Sequence, residues 1–223
     1  MLIRASNTAA NYHQLLEQFL PGDTTAYFAN LMAQRQLNLR VSKPRKTKLG
    51  DYRTRAQGEA PSISLNANLN PYAFAIVLLH EIAHHDSFAQ HGPRIKPHGQ
   101  EWQSAYRVLA FPLLEQNIFP PDLQEAFTQY LDNPSASSCT DHRLLRAMRA
   151  YDPIPENAGQ ENPGSGFHML DDLPADARFR WRDGRYFVKM HKIRTRIRCY
   201  EIHTRRIYLF HPLAEVQPEA NAH

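Results

Sequence analysis

This chain of 223 residues has only two cysteines, Cys139 and Cys199, far apart and in no C-x-x-C pair. That excludes a disulfide framework and a four-cysteine structural zinc site, and it fits a reducing cytoplasm. Both thiols read as small, part-buried packing residues. Long apolar runs are also missing. The longest is residues 73–79, whereas a membrane span needs about 20 residues. The first residues lack the apolar stretch of a secretory signal, so a cytoplasmic location is expected. No internal repeat or long low-complexity tract occurs. The length leaves room for one well-cored domain and an appendage.

The apolar run leads into His80-Glu81-Ile82-Ala83-His84, an H-E-x-x-H pattern. At this composition chance gives about 0.03 occurrences, so the pattern carries weight. On a helix, positions four apart share a face. His80 and His84 can therefore bind one zinc ion, with Glu81 as the base acting on a water. Asn70-Pro71 supplies a helix start and Gly92-Pro93 a stop, so a helix is expected from residue 71 to about 88. Its first half is apolar on all sides, as in a core helix.

A catalytic zinc usually keeps a third protein ligand. The extended pattern with Gly and His at positions 87 and 90 fails, because Ser87 and Gln90 stand there. His85, His91 and His98 lie nearby. His85 points about 100° away from His84 on a helix and reads as a surface or supporting residue. His91 sits in the turn leaving the helix. His98 opens Pro97-His98-Gly99-Gln100-Glu101-Trp102, the start of another helix.

H-E-x-x-H followed by H-G-x-E-[aromatic] resembles the SprT-like metalloprotease family, which includes the Spartan proteases. The resemblance covers roughly residues 10–150 and extends to residues 48–53 and 63–66, which look like the strands before the family's catalytic helix. It implies an α+β fold: a zincin-like helical core with a small antiparallel sheet and the H-E-x-x-H helix. It implies one zinc ion held by His80, His84 and His98, with Glu81 as catalytic base. Gly99 would let the backbone turn near the metal, and Trp102 would pack the second helix on the first. Protein substrates, bound or crosslinked to DNA, follow from the same resemblance. Many family members carry a C-terminal zinc ribbon, which the cysteine count rules out here.

Helices are expected over 12–20, 24–36, 99–110, 121–131 and 141–151, with breaks at Phe111-Pro112 and Asn133-Pro134. Residues 37–41, 46–53 and 62–66 read as strands of the small antiparallel sheet. The organisation expected is a metalloprotease domain over 1–151, a Pro/Gly-rich linker over 152–175, a basic β appendage over 176–212 in place of the ribbon, and a frayed tail over 213–223. Three or four strands are expected in the appendage, around an Asp183-Gly184 hairpin turn.

The net charge of +4 is unevenly spread. Residues 178–206 carry 11 Lys and Arg against two acids, a local +9. Residues 35–55 carry eight against one, a local +7, leaving −12 for the rest. Such segregation points to an anionic partner. In the appendage, Arg180, Arg182, Arg185, Lys189, Lys192, Arg194 and Arg196 are candidates for phosphates, and Trp181, Tyr186 or Phe187 for stacking on bases of DNA or RNA. The plainer alternative is a solvated charged face over an aromatic core. Three functions compete: a zinc endopeptidase acting on DNA-associated proteins, a nucleic-acid-binding, transcription-associated protein with a structural or vestigial zinc site, and a zinc hydrolase of small amides.

Overall fold

In a computed structural model, residues 2–3, 8–45, 48–54, 59–134, 141–153 and 168–219 are described. The chain divides into two units, Met1–Pro153 and Ile154–His223. Among the described residues it is a mixed α+β protein with six α-helices and two sheets.

In the first unit, α1 (Ala9–Leu16) and α2 (Thr25–Gln34) precede β2 (Asn38–Ser42), β3 (Gly50–Arg53) and β4 (Ser62–Asn66); β1 is the short Leu2–Ile3. The sheet order is β1-β2-β4-β3. The expectation of an antiparallel sheet is corrected: β2 and β4 run parallel, with Leu39 beside Ile63 and Val41 beside Leu65. Only β1–β2 and β3–β4 are antiparallel. The pairing follows burial. Ile63 and Leu65 of β4 are fully buried, so β4 takes the middle and β3 is left at the edge. Arg45 pins the intervening loop to β4 through Asn66 Oδ1 (2.8 Å), Ser64 Oγ (3.0 Å) and the Leu49 carbonyl (3.3 Å).

The long helix α3 spans Pro71–His91. Asn70 caps it, its Oδ1 accepting from the Ala73 N–H at 2.9 Å. Gly92, at φ 78°, ends it and donates to the Phe88 carbonyl. Every residue from Ala73 to Ala83 is buried, so this is a core helix on all faces. Helix α4 (Gln100–Glu115) lays Trp102, Tyr106, Leu109 and Leu113 against the core at helical spacing. The Tyr106 hydroxyl donates to the Ile76 carbonyl (3.2 Å) and Trp102 Nε1 to the His80 carbonyl (3.3 Å), fixing α4 on α3. The break expected at Phe111-Pro112 does not occur. Pro112 lies inside the last turn of α4 and takes the helical donor away from the carbonyl of Val108, an exposed residue that water can reach. Helices α5 (Pro121–Asp132) and α6 (His142–Arg149) close the core.

The second unit is a six-stranded sheet in the order β5-β10-β6-β7-β8-β9. Its strands are β5 (His168–Met169), β6 (Arg178–Arg180), β7 (Tyr186–Ile193), β8 (Arg196–Glu201), β9 (Ile207–Phe210) and β10 (Glu215–Pro218). Two expectations are corrected here. The end of the expected linker forms β5, followed by buried Leu170, and the expected frayed tail forms β10 between β5 and β6. Buried Val216 and Leu170 explain this: both complete the core of Phe179, Phe187, Ile197, Cys199 and Phe210. The Asp183-Gly184 hairpin forms as expected, with Gly184 at φ 87°. Residues 154–167 of the expected linker, and Cys139, lie outside the described residues. No helix among the described residues is long and apolar enough to cross a membrane.

Candidate metal centre

Helix α3 places His80 and His84 one turn apart, and their Nε2 atoms lie 3.2 Å from each other. His98, from the loop before α4, brings its Nε2 to 3.2 Å from that of His80. The ring nitrogens of all three lie within 4.8 Å of one another. Three neutral imidazoles cannot satisfy one another here, because each pair holds at most one shared proton and the remaining lone pairs face each other. A cation resolves that conflict. Bonds of about 2.0–2.1 Å in a tetrahedron separate ligand atoms by roughly 3.3 Å, so the observed spacing suits a zinc-sized ion. The donor set fits the group.

Burial lowers the pKa of His80, His84 (to about 4) and His98, and repulsion among the imidazoles adds to the effect at His80 and His84. The rings are therefore neutral near pH 7, the form that ligates metal. The Trp102 ring floors the cluster, with its centroid 4.7 Å from those of His80 and His98 and 5.5 Å from that of His84. One feature departs from the usual pattern, in which the second nitrogen of a ligating histidine is hydrogen-bonded. Buried His80 Nδ1 has no such partner among the described residues.

His98 adopts the left-handed backbone region, φ 58°, which a non-glycine residue enters only at a cost. That conformation swings its ring back toward α3. Gly99, expected to make the turn, has an ordinary φ of −72°. Its missing side chain serves another need, since a Cβ there would meet the Lys96 carbonyl at 2.9 Å. His91 ends α3 in an exposed position and is not part of the cluster.

Glu81 is 6 % exposed and sits against edge strand β3. It accepts from the Tyr52 backbone N–H, while burial and nearby Asp51 push its pKa up to about 8. Gly50 makes this approach possible: a Cβ at that position would crowd Glu81 Oε1 and come within 2.8 Å of Glu81 Cγ and Val77 Cγ1. No sequence motif singles out Gly50. Tyr52, also missed, stacks on His84 with ring centroids 6.5 Å apart, and its hydroxyl lies 3.4 Å from His85 Nδ1. His85 thus stands behind the site, as its helical position implies.

Several cations of residues 35–55 are engaged within the fold. Arg35 forms a two-pronged pair with Asp86 (2.6 and 2.7 Å), Arg45 holds its loop, and Lys48 and Arg53 both meet Asp51.

The ten candidate nucleic-acid residues are split by the sheet, and Phe187 is corrected to a core residue, fully buried and closed to a stacking base. A bulge in β7 places both Lys189 and Lys192 opposite inward-facing residues of β8, Cys199 and Ile197. Lys189 donates to the Asp171 and Leu173 carbonyls, and Lys192 pairs with the Asp171 carboxylate at 3.0 Å. Trp181 packs edge-on against core residue Phe210, with Arg182 over its other side at 4.6 Å. Arg185 is bound by Asp183 and the Tyr208 hydroxyl. Arg194 lies in the turn after β7, at φ 47°. Arg180, Tyr186 and Arg196 point to the opposite face from the core, together with Arg178, Arg198 and Tyr200, which the sequence analysis passed over.

No curated protein and no solved structure matches the chain. The family model of the SprT-like family matches residues 13–118, from within α1 to just past α4, a stretch that contains His80, Glu81, His84 and His98. Over that stretch the chain is similar to the SprT-like family, in keeping with the resemblance carried by its two histidine motifs.

Proposed function

We propose that the first unit is a zinc-dependent endopeptidase of the SprT-like type. One observation carries the reading: a buried carboxyl, Glu81, lies against an edge strand on the same helix that supplies two of three converging imidazoles. A purely structural metal site has no need of that carboxyl. His80, His84 and His98 would hold the zinc, which when bound supplies a Lewis acid for the scissile carbonyl and for water. Beside a dication the Glu81 carboxyl ionises more readily than in the metal-free protein. Glu81 then takes the proton of the attacking water and delivers it to the leaving amine. Strand β3 pairs only with β4 among the described residues. Its free edge offers main-chain groups to an extended peptide and would align the scissile bond beside Glu81.

Glu81→Gln keeps the shape and removes the base. It should retain one zinc per chain and lower cleavage of a protein substrate by about 10²–10⁴-fold. Cleavage at the wild-type rate would remove Glu81 from the mechanism.

DNA-associated proteins are the proposed substrates, supported by the SprT-like resemblance and by the basic charge gathered in residues 178–206. The same charge favours a second reading, a nucleic-acid-binding protein whose metal site is structural. Tight nucleic-acid binding and full zinc occupancy without cleavage of any protein, in wild type as in Glu81→Gln, would select it.

A further inference from the structure

The two faces of the second unit's sheet differ in kind. One is closed by the core of Phe179, Phe187, Ile197, Cys199 and Phe210. Strand register assigns the other face. Arg178 and Arg180 alternate with buried Phe179 on β6, and Arg196, Arg198 and Tyr200 alternate with buried Ile197 and Cys199 on β8. Tyr186 stands beside Arg180 across the β6–β7 pair. Among the described residues, none of these four guanidinium groups meets a carboxylate. Strands β6 to β9 place no acidic side chain on this face either. Of the two lysines on the core side, Lys192 meets a carboxylate and Lys189 two backbone carbonyls, whereas the arginines on this face meet no carboxylate among the described residues.

We propose that this Arg/Tyr face, not the hairpin tip or the lysines, binds single-stranded nucleic acid. The proposal deepens the nucleic-acid part of the proposed function and is independent of the metal site. Unpaired arginines supply contacts to phosphates, and half-buried Tyr186 and Tyr200 supply flat rings on which unpaired bases stack. Ile207 and Leu209, 49 % and 61 % exposed, lie on the same face beside Tyr200 and Arg198 and extend the apolar platform. Four strands at about 4.8 Å make a surface roughly 14 Å across, wide enough for a single strand but presenting no helix to a duplex groove.

The test uses the full chain and fluorescence anisotropy with short labelled DNA and RNA single strands over a salt series. Arg178→Ala/Arg180→Ala/Arg198→Ala should weaken binding at least about thirtyfold. It should also make the slope of log affinity against log salt shallower by about two, since each lost phosphate contact removes about 0.7. Tyr200→Ala should weaken binding about tenfold, while Tyr200→Phe, which keeps the ring, binds like wild type. Lys192→Ala, on the core side, should change affinity less than twofold. Circular dichroism confirms that each variant is folded.

Wild-type affinity in the triple arginine variant, or equal losses in Tyr200→Phe and Tyr200→Ala, would overturn the assignment of this face. Displacement of the oligonucleotide by polyglutamate at equal charge would make it a surface for acidic proteins instead. If wild type binds neither DNA nor RNA, both the inference and the nucleic-acid part of the proposed function fall, while the Glu81→Gln cleavage assay still judges the protease.

Discussion

His98 and Gly50 bring opposite kinds of constraint to the same few ångströms. His98 accepts a left-handed backbone to deliver its ring, and Gly50 gives up a side chain so that Glu81 can lie against β3. His98→Ala should lose zinc, measured as metal per chain, while His91→Ala keeps it. Asparagine tolerates the left-handed region, so His98→Asn should fold as wild type yet still lose the metal; that separates ligation from backbone geometry. Gly50→Ala has the converse signature. It should keep zinc, lose about 1–3 kcal/mol of stability to overpacking, and lower cleavage about 10²-fold by displacing Glu81. Full activity in Gly50→Ala would show that the carboxyl has more freedom than the packing implies. His80, Glu81 and His84 were legible because helical periodicity alone puts them together. His98 became legible through the H-G-x-E-aromatic resemblance. Gly50 was not, because its crowding arises only when a strand 31 residues away in sequence folds onto α3.

At the level of elements, α3 depends on the residue just before it. Asn70 caps the helix and also donates Nδ2 to the Met148 carbonyl at 2.8 Å, joining α3 to the end of α6. Asn70→Ala removes a cap and strands a buried carbonyl, so chemical denaturation should report a loss of about 2–4 kcal/mol. A loss below about 0.5 kcal/mol would mean that water replaces the side chain. Most helices and strands could be placed from apolar period and turn residues, α3 best of all. Strand direction could not. Leu39, Val41, Ile63 and Leu65 alternate identically whether β2 and β4 run parallel or antiparallel, and only the insertion of β4 between β2 and β3 decides it. The faces of the second sheet were hidden for a related reason, since the β7 bulge shifts the alternation partway along the strand.

As a whole, the chain carries two separate hydrophobic cores, one around α3 and one between the strands of the second sheet. Metal should therefore stabilise only the first. Zinc at about a hundred times its dissociation constant adds about 2.7 kcal/mol, or roughly 5–10 °C for a unit of this size. Calorimetry with and without a chelator should show one transition that moves and one that does not; two transitions shifting equally would mean that the cores unfold together. The second core also shows how little separates one surface from another. The bulge in β7 is what keeps Lys192 on the side of Asp171. Deleting the extra residue would leave Lys192 opposite Ile197, whereas straightening the bulge without losing a residue would carry Lys192 and Ile193 to the other side. Composition and net charge would barely change, yet Lys192 would join the arginines and Ile193 would turn toward the core. In the descent of such a sheet, a substitution that straightens one bulge could redraw what the unit touches while leaving its overall chemistry almost untouched.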